Sequence, residues 1–315
     1  MTEPSAIQAE STRRRRWKKR VIRIATGVLI LWLASTALTD WIMTRRFRGP
    51  RPEPMPALPG VEIQEQRLIT SDYENLGAWF IRGRPDAPSV LLLHGIGGTR
   101  RDFVPMLRPL HDDGYNVLAL TLRAHGDSTG RREDFGYSSA ADVIAGVRFL
   151  QQQTPGGRIV ICGTSLGAAA ALFAAKDLSG QVSGYVLESP YYDLNTAVRN
   201  RMSIYLPPVL DSIGYAGLRL WSPLFLPVPP TTICPGACAA AIPATVPVII
   251  LTGTADRHAT LREAQQILQQ VQTHAQLIEF PGGEHAELYK SDPGKYYGVL
   301  RAMLDGKGGK LRFRK

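Results

Sequence analysis

The hydrophobic positions in the middle of the chain form short, often β-branched runs separated by segments with helical spacing. Eight runs predict strands, and the later six of them alternate with helices. This alternation is typical of an α/β fold with a mostly parallel, doubly wound sheet. The strands are predicted at residues 61–70, 76–82, 89–93, 115–122, 158–162, 183–188, 246–252 and 275–280, and the helices at 100–113, 138–154, 166–178, 260–273 and 292–304.

Residues 190–245 interrupt this alternation. They contain many prolines and aromatic residues and no clear strand. Ligands of open α/β sheets bind at the carboxyl ends of the strands, and an insertion after the strand at 183–188 would cover that edge. We therefore expect a small cap whose apolar side chains line a substrate pocket. A plainly packed insertion, or a surface that dips into a membrane, is the alternative.

A long apolar stretch lies near the N-terminus. Residues 21–43 carry two charged side chains, Arg23 and Asp40, both near the ends of the stretch. A stretch of this length can cross a bilayer. Eight Lys and Arg residues precede or enter it and four follow, which places the N-terminus in the cytoplasm and the body on the extracytoplasmic side. A cleaved signal peptide with a site near 35–37 is the alternative, but the stretch is long for a signal and continues past that site.

These patterns divide the chain into consecutive segments. The linker has five prolines between Gly49 and Gly60, which favour an extended, semi-rigid backbone. Before the basic run that begins at Arg13 we expect no regular structure. The segments are a basic cytoplasmic tail (1–20), a transmembrane anchor (21–43), a proline-rich linker (44–60), an α/β domain (61–306) with its cap insertion (190–245), and a second basic tail (307–315).

The net charge of +10 is concentrated at the two ends of the chain. Residues 1–51 contain 12 Lys and Arg against three Asp and Glu, and residues 307–315 contain five basic residues and no acid. The remaining body is therefore mildly acidic, and we expect no nucleic-acid partner, which would need a basic face. Cys234 and Cys238 have no histidine beside them, so we expect no zinc site, whereas a disulfide and two free thiols both remain open.

The clearest chemical signal is Gly163-Thr164-Ser165-Leu166-Gly167. It lies between a predicted strand and an alanine-rich predicted helix, and such a turn presents the serine hydroxyl at its tip. Glycines on both sides remove the β-carbons that would clash there. The following helix would begin at Leu166 and direct its positive end toward the serine. Ser165 is therefore the candidate nucleophile.

A serine nucleophile needs a base, and the base needs an acid that orients it. His285 lies in a glycine-containing loop after the last predicted strand, and Asp256 follows the strand before it. Both loops open at the carboxyl edge of the sheet, where Ser165 is expected. We assign His285 as the base and Asp256 as the acid, with His258 as a decoy for the base and Asp193 as the second-choice acid.

The developing oxyanion would need two backbone N–H donors. Leu166 supplies one of them at the start of its helix. The second is expected from the loop His94-Gly95-Ile96-Gly97-Gly98, directly after the first predicted parallel strand, because its glycines let the backbone approach a substrate. Ile96 is the assigned donor and Gly97 the alternative.

Five segments carry a pattern of motifs along the chain: 94–98, 123–128, 163–167, 252–256 and 283–285. Together and in this order they resemble the α/β-hydrolase family, and the resemblance covers roughly residues 61–304. Within the family, the chain is similar to the subgroup with an N-terminal membrane anchor and a Gly-x-Ser-Leu-Gly elbow. Thr121 and Ala124 depart from the family's Asp-x-Arg-Gly-His-Gly-x-Ser turn, so we expect that turn to differ in shape.

The resemblance implies an eight-stranded α/β-hydrolase fold and a serine hydrolase that needs no cofactor or metal. An acyl ester of a small or lipid-like molecule is the expected substrate, because the predicted cap is apolar and the enzyme would sit at a bilayer. Thioester or amide hydrolysis, a peptidase and an acyltransferase share the chemistry. A non-catalytic binding protein of the envelope is the alternative from another class. The oligomeric state remains open.

Overall fold

The computed structural model of the chain describes residues 4–271 and 273–310. A long helix, α1 (Pro4–Met43), precedes an α/β domain. The strands are β1 (Gln64–Ile69), β2 (Asn75–Ile81), β3 (Ser89–Leu93), β4 (Asn116–Leu120), β5 (Ile159–Thr164), β6 (Gly184–Glu188), β7 (Val248–Gly253) and β8 (Ala275–Phe280). The other helices are α2 (Val104–Asp112), α3 (Ala140–Gln153), α4 (Leu166–Ala174), α5 (Leu194–Tyr205), α6 (Pro208–Phe225), α7 (Pro235–Cys238), α8 (Leu261–Gln270), α9 (Leu288–Ser291) and α10 (Pro293–Leu304).

The eight strands form one sheet in the order β1-β2-β4-β3-β5-β6-β7-β8. The pairs β1–β2 and β2–β4 are antiparallel, and every other neighbouring pair is parallel. The predicted α/β fold with a mostly parallel sheet is thus confirmed. Because β3 and β5 to β8 run in the same direction, the loops that follow them open at one edge of the sheet.

Helices cover both faces of this sheet. Every residue of β3, β4, β5, β6 and β7 is buried, as expected for strands packed on both sides. One core lies between the sheet and α3, α4 and α8, and a second lies between the opposite face and α2 and α10. The helix predicted at 100–113 begins as a 3₁₀ turn, Arg100–Phe103, and becomes α-helical at Val104.

The N-terminal helix begins before the basic run. Residues 4–12 belong to α1, so the expectation that they lack regular structure is wrong. Within the described ranges, α1 is the one helix that is long and apolar enough by itself to cross a membrane. Its C-terminal third packs on α6, where Trp32 Nε1 donates to the carbonyl of Ile213 (3.2 Å). A β-carbon on Gly217 would lie 2.4 Å from Thr36 Cγ2, so the glycine permits this close packing.

The proline-rich linker is extended, but it lies against the domain. The guanidinium of Arg46 donates to the carbonyls of Gly126 and Ser128, and Arg51 N–H donates to Gly126 (2.8 Å). Glu53 is buried and lies 3.1 Å from the guanidinium of Arg100. The linker therefore holds the end of α1 against the domain. Of the basic segment at 307–315, residues 311–315 lie outside the described residues.

The turn at residues 121–128 has a left-handed backbone at Ala124, where the family pattern has glycine. Ala124 adopts φ +61°, a conformation that costs a residue with a β-carbon some free energy. Thr121 Oγ1, where the family has a carboxylate, donates to Glu53 Oε2 (3.0 Å) and accepts from Arg100. The linker thus brings a carboxylate to the place where Thr121 has none. Asp127 completes this cluster with two hydrogen bonds from Arg100 (2.5 and 2.9 Å).

We predict that Asp127→Ala strongly destabilises the domain. Arg100 is fully buried, and removing one partner of a buried ion pair costs about 3–5 kcal/mol. The expected fall in melting temperature of the full chain in detergent is roughly 10 °C. Glu65→Gln is the matched control, since that acid lies 3.7 Å from Arg100 but is half exposed, and an exposed pair contributes about 1 kcal/mol or less. Equal shifts in the two variants would contradict the prediction.

Candidate active site

Ser165 lies at the turn between β5 and α4 in an unusual backbone conformation, φ +48° and ψ −102°. Such a conformation is strained and persists only where the surroundings hold it in place. A β-carbon on Gly167 would lie 2.3 Å from the carbonyl oxygen of Leu93, and one on Gly163 would lie 2.6 Å from the backbone of Gly167. Both glycines are therefore required for β3, β5 and α4 to meet at this point.

A chain of hydrogen bonds connects Ser165 with two side chains from distant loops. Ser165 Oγ lies 2.9 Å from His285 Nε2, and His285 Nδ1 lies 2.8 Å from Asp256 Oδ2. With the proton on Nδ1, His285 donates to Asp256 and leaves Nε2 free to accept from the serine. The geometry is that of a nucleophile, a general base and an orienting acid.

Asp256 is held by more than the histidine. Its Oδ1 accepts the backbone N–H groups of His258 (2.8 Å) and Ala259 (2.9 Å). Burial acts to raise the pKa of Asp256, but the hydrogen bonds from His285 and from these two amides outweigh it, so that the pKa of Asp256 is lowered. The carboxylate is therefore ionised when it faces the imidazole.

Asp193 and His258, the alternatives considered for the acid and the base, lie outside the hydrogen-bonded series of Ser165, His285 and Asp256. Asp193 is the N-cap of α5 and accepts the N–H (3.0 Å) and the hydroxyl (2.8 Å) of Thr196. The ring of His258 lies against that of His285, with 5.1 Å between centroids. Burial lowers the pKa of His258, and the positive charges of His285 and Arg201 act in the same direction. His258 thus contributes its backbone N–H to Asp256, a contact that the sequence analysis did not anticipate.

The predicted N–H donors lie on either side of Ser165. Leu166 is the first residue of α4, where a helix leaves its N–H groups without helical acceptors. The loop at residues 94–98 passes close to Ser165, since a β-carbon on Gly95 would lie 3.6 Å from the serine Cβ. The N–H of Gly97 donates to His125 Nε2 (3.1 Å), so this alternative donor is already engaged. Leu166 and Ile96 remain the candidates.

A buried carboxyl group beneath the serine was not predicted. Glu188 ends β6, and its carbonyl accepts the N–H of Ser165 (2.8 Å). Its side chain accepts from Thr164 Oγ1 (2.8 Å), Tyr296 Oη (3.0 Å) and the N–H of Leu288 (3.0 Å). Burial raises the pKa of Glu188. The group ties β5, β6 and α10 together behind the elbow; an acid at the end of an apolar strand was the available signal.

A cavity of about 320 Å³ opens at Ser165 and is largely apolar. Cap residues such as Tyr191 and Leu194 line it, as the sequence analysis expected for residues 190–245. Its other wall, formed by α1, was not expected. Ile96 also lines a second cavity of about 300 Å³ that reaches Glu188. Ile96 is therefore shared by the linings of both cavities.

Asp256, His258 and His285 are also close enough to share a cation. Among the described residues, this group offers ligand atoms that lie within 4.8 Å of one another. A metal ion held there would compete for His285 and Asp256 atoms that are already engaged. His285 Nδ1 and Asp256 Oδ2 form a hydrogen bond with each other, and His285 Nε2 forms one with Ser165 Oγ. The donor set therefore fits proton transfer between Ser165 and His285 better than metal binding.

We predict that His94 makes the fold sensitive to acid. Leu122 N–H donates to His94 Nε2 (3.0 Å) and His94 Nδ1 donates to Gly95 (2.7 Å), so the buried ring is neutral. Burial, with a smaller contribution from His125, lowers the pKa of His94 from 6.5 to about 3. Between these two pKa values the unfolded chain binds a proton on this histidine that the folded chain does not. The free energy of unfolding therefore decreases as the pH is lowered through this range, by up to about 1.4 kcal/mol per pH unit.

Urea unfolding of the full chain between pH 6 and pH 4 checks this. The fall in the free energy of unfolding should be shallower in His94→Gln than in the wild type. His111→Gln, which changes a partly exposed histidine on α2, is the matched control and should keep the wild-type slope. An unchanged slope in His94→Gln would refute the assignment.

The chain matches one protein family and several known proteins. Residues 90–298 match the model of the alpha/beta hydrolase family. The chain is 23% identical over 251 residues to an uncharacterized membrane protein of Saccharomyces cerevisiae, covering 79% of this chain and 82% of the yeast protein. It is 27% identical over 169 residues to the monoglyceride lipase of Homo sapiens, covering 53% of this chain and 54% of the lipase.

The fold is also found among solved structures. The esterase Pf2001 of Pyrococcus furiosus superposes with a TM-score of 0.64 at 23% identity, covering 82% of this chain and 98% of the esterase. This likeness concerns the fold alone. The family match spans more than half of the chain and includes the segments that carry Ser165, Asp256 and His285. The chain therefore belongs to the alpha/beta hydrolase family.

Proposed function

We propose that this protein is a membrane-anchored serine hydrolase that cleaves the acyl ester of a lipid-like molecule. The observation that carries the proposal is the hydrogen-bonded series from Ser165 through His285 to Asp256, with distances of 2.9 and 2.8 Å. Three residues separated by up to 120 positions in the chain meet in the order that acyl transfer requires.

The proposed reaction has two halves. Ser165 Oγ attacks the acyl carbonyl while His285 Nε2 takes its proton, and the N–H groups of Leu166 and Ile96 hold the oxyanion. His285 then gives the proton to the leaving alcohol as the bond between acyl carbon and alcohol oxygen breaks. Water, deprotonated by the same histidine, attacks the acyl-enzyme. The bond between the acyl carbon and Ser165 Oγ then breaks, His285 returns the proton to Oγ, and the acid is released. Asp256 stabilises the imidazolium in both halves.

The surroundings of Ser165 favour an ester with an apolar acyl chain. The cavity at the serine is lined mainly by apolar side chains, which bind hydrocarbon by removing it from water. The name of one similar protein, a monoglyceride lipase, refers to an ester substrate of that protein and supports the same class here. Thioesters, amides, peptides and transfer to another acceptor use the same chemistry, so ester turnover has to be measured against them.

We predict that the three side chains act as one unit. Ser165→Ala should abolish labelling of the full chain by a fluorophosphonate probe, because the reacting oxygen is gone. Asp256→Asn should lower kcat for p-nitrophenyl esters by about 10⁴-fold, because the imidazole loses its orienting acceptor.

Asp193→Asn is the matched control for the acid, since this residue caps α5 instead of facing the histidine. It should keep kcat within about twofold of the wild type, as expected for a change away from the reacting groups. Labelling of Ser165→Ala, or a greater loss in Asp193→Asn than in Asp256→Asn, would contradict the assignment. A folded wild type that neither labels nor turns over would favour a binding protein.

The same proposal places α1 across a membrane. Residues 24–39 are uncharged, and the side chains of residues 10–31 of α1 are exposed in the isolated chain. Lipid tails would cover this apolar surface. The excess of Lys and Arg before the span favours a cytoplasmic N-terminus and an extracytoplasmic catalytic domain. The name of the yeast relative, which calls that protein a membrane protein, supports the same location.

We predict opposite accessibility on the two sides of the span. In a Cys234→Ser, Cys238→Ser background, a membrane-impermeant maleimide should label Lys176→Cys in intact cells. It should label Ser11→Cys only after the cells are permeabilised. Both positions lie on exposed parts of the chain outside the apolar stretch. Labelling of Ser11→Cys in intact cells would reverse the orientation, and a mature protein that lacks residues 1–37 would show a cleaved signal instead of an anchor.

A further inference from the structure

The helix proposed as the anchor is also a wall of the cavity at Ser165. Thr39, Asp40 and Met43 of α1 line the same 320 Å³ cavity as Ser165 and Leu166. Asp40 is buried, and its Oδ2 has no hydrogen-bond partner among the described residues. The end of the apolar stretch is thus part of the substrate cavity, and the cavity begins where the span ends.

The cap helix α6 packs along α1 and runs in the same direction. Trp32 bonds to the carbonyl of Ile213, and one turn later Thr36 contacts Gly217, so both helices advance by four residues between the two contacts. If the same register continues to the start of α6, Leu210 lies beside Leu29. Leu29 lies ten residues before Thr39, which is about 15 Å along a helix, or about half of a 30 Å hydrocarbon core.

The outer face of α6 is apolar and exposed. Its large exposed side chains have 45–71% of their surface accessible, and they continue the exposed apolar surface of α1, where Leu31 is 70% and Leu38 53% exposed. A soluble protein rarely exposes a contiguous apolar surface of this kind. The exposed residues of α6 are Val209, Leu210, Ile213, Leu220 and Leu224.

Of the two charged residues of α6, Arg219 has the position that a membrane surface would require and Asp211 does not. Arg219 lies level with the end of the span, where a long side chain can reach the headgroups. Asp211 is the exception, since it lies deeper. It occupies the first turn of the helix, where the helix dipole favours a negative charge.

We propose that α6 enters the extracytoplasmic half of the same bilayer that α1 spans, and that the substrate is a long-chain acyl ester of a membrane lipid whose chain reaches Ser165 between α1 and the cap. This inference rests on the proposed function and names its substrate class. The continuity of the α6 face with the apolar surface of α1 argues for lipid as its occupant. A second copy of the chain or another protein on this face is the competing outcome.

The cavity wall is tested with a matched pair of variants on α1. Met43 lines the cavity, whereas the adjacent Ile42 does not, and the two are almost equally exposed at 47% and 48%. The full chain in phospholipid vesicles is given a long-chain monoacylglycerol and p-nitrophenyl acetate. Met43→Trp should lower the ratio of kcat/KM for the long-chain ester to that for the acetate at least about tenfold, since a lost pocket contact of this size costs 10–200-fold. Ile42→Trp should leave the ratio unchanged.

The failure of this inference can be separated from failure of the proposed function. Fluorophosphonate labelling of Ser165 reports the nucleophile without any lipid. If Met43→Trp is labelled but keeps the wild-type ratio, the α1 wall does not bind the acyl chain and the inference is overturned. If Met43→Trp is not labelled, Met43→Ala decides: a shift of preference toward longer chains supports the inference, and no shift overturns it.

The position of α6 is tested independently with nitroxides in the Cys234→Ser, Cys238→Ser background. A nitroxide at Leu210→Cys should be relaxed by oxygen and protected from a water-soluble nickel chelate, as expected inside a bilayer. A nitroxide at Arg148→Cys, on the exposed face of α3, should show the opposite. Access of the nickel chelate to Leu210→Cys would overturn the inference. Protection from both reagents would also overturn it, because a protein partner would then cover the face.

Discussion

The contact of three backbone segments at Gly163 and Gly167 is the constraint on which the rest of the site depends. Gly167 lies so close to the carbonyl of Leu93 that a β-carbon would come within 2.3 Å of it. This contact fixes where α4 begins relative to β3 and β5, and Ser165 is held at φ +48° between them. Since the loop that carries Ile96 follows β3, the same contact fixes both the serine and the expected second oxyanion donor.

The buried side chain of Glu188 stabilises this arrangement, although it does not belong to the hydrogen-bonded series from Ser165 to Asp256. Glu188 bonds to Thr164, Tyr296 and the backbone of Leu288, so it connects the elbow strand to its neighbour and to the last helix. The helix α9 that begins at Leu288 lies three residues after His285. Glu188 thus connects the start of α9, close to the histidine loop, with the strand that precedes Ser165, and these hydrogen bonds offset the cost of burying its carboxyl group.

Much of the fold and of the candidate site was predictable from local patterns. The strands at 89–93 and 275–280 have the predicted bounds, because continuous apolar runs with sharp polar ends leave little choice. Ser165, His285 and Asp256 were found because each follows a strand, and parallel strands bring their carboxyl ends to one edge. The turn around Ala124 was expected to differ in shape from that of the family, and in the structure Ala124 has a left-handed backbone with φ +61°.

Two of the contacts that escaped prediction join parts of the chain that no local pattern connects. Glu53 lies in a proline-rich linker and reaches Arg100, whereas composition alone predicted a spacer. The contribution of Met43 to the cavity depends on the register between α1 and α6, which approach each other closely because Gly217 has no side chain. Packing between distant segments, not helix or strand propensity, determines these features. The linker thus packs on the α/β domain, and the N-terminal helix lines the cavity at Ser165.

The most direct measurement is to trap the acyl-enzyme. The full chain in detergent is mixed briefly with a p-nitrophenyl ester, quenched in acid, and the adduct is located by peptide mass spectrometry. The account predicts one acyl group per chain, bound to Ser165 and formed at the rate of the initial p-nitrophenol burst. Turnover without an adduct, or an adduct on another residue in a chain that hydrolyses the ester at full rate, would contradict the assignment of Ser165 as the nucleophile.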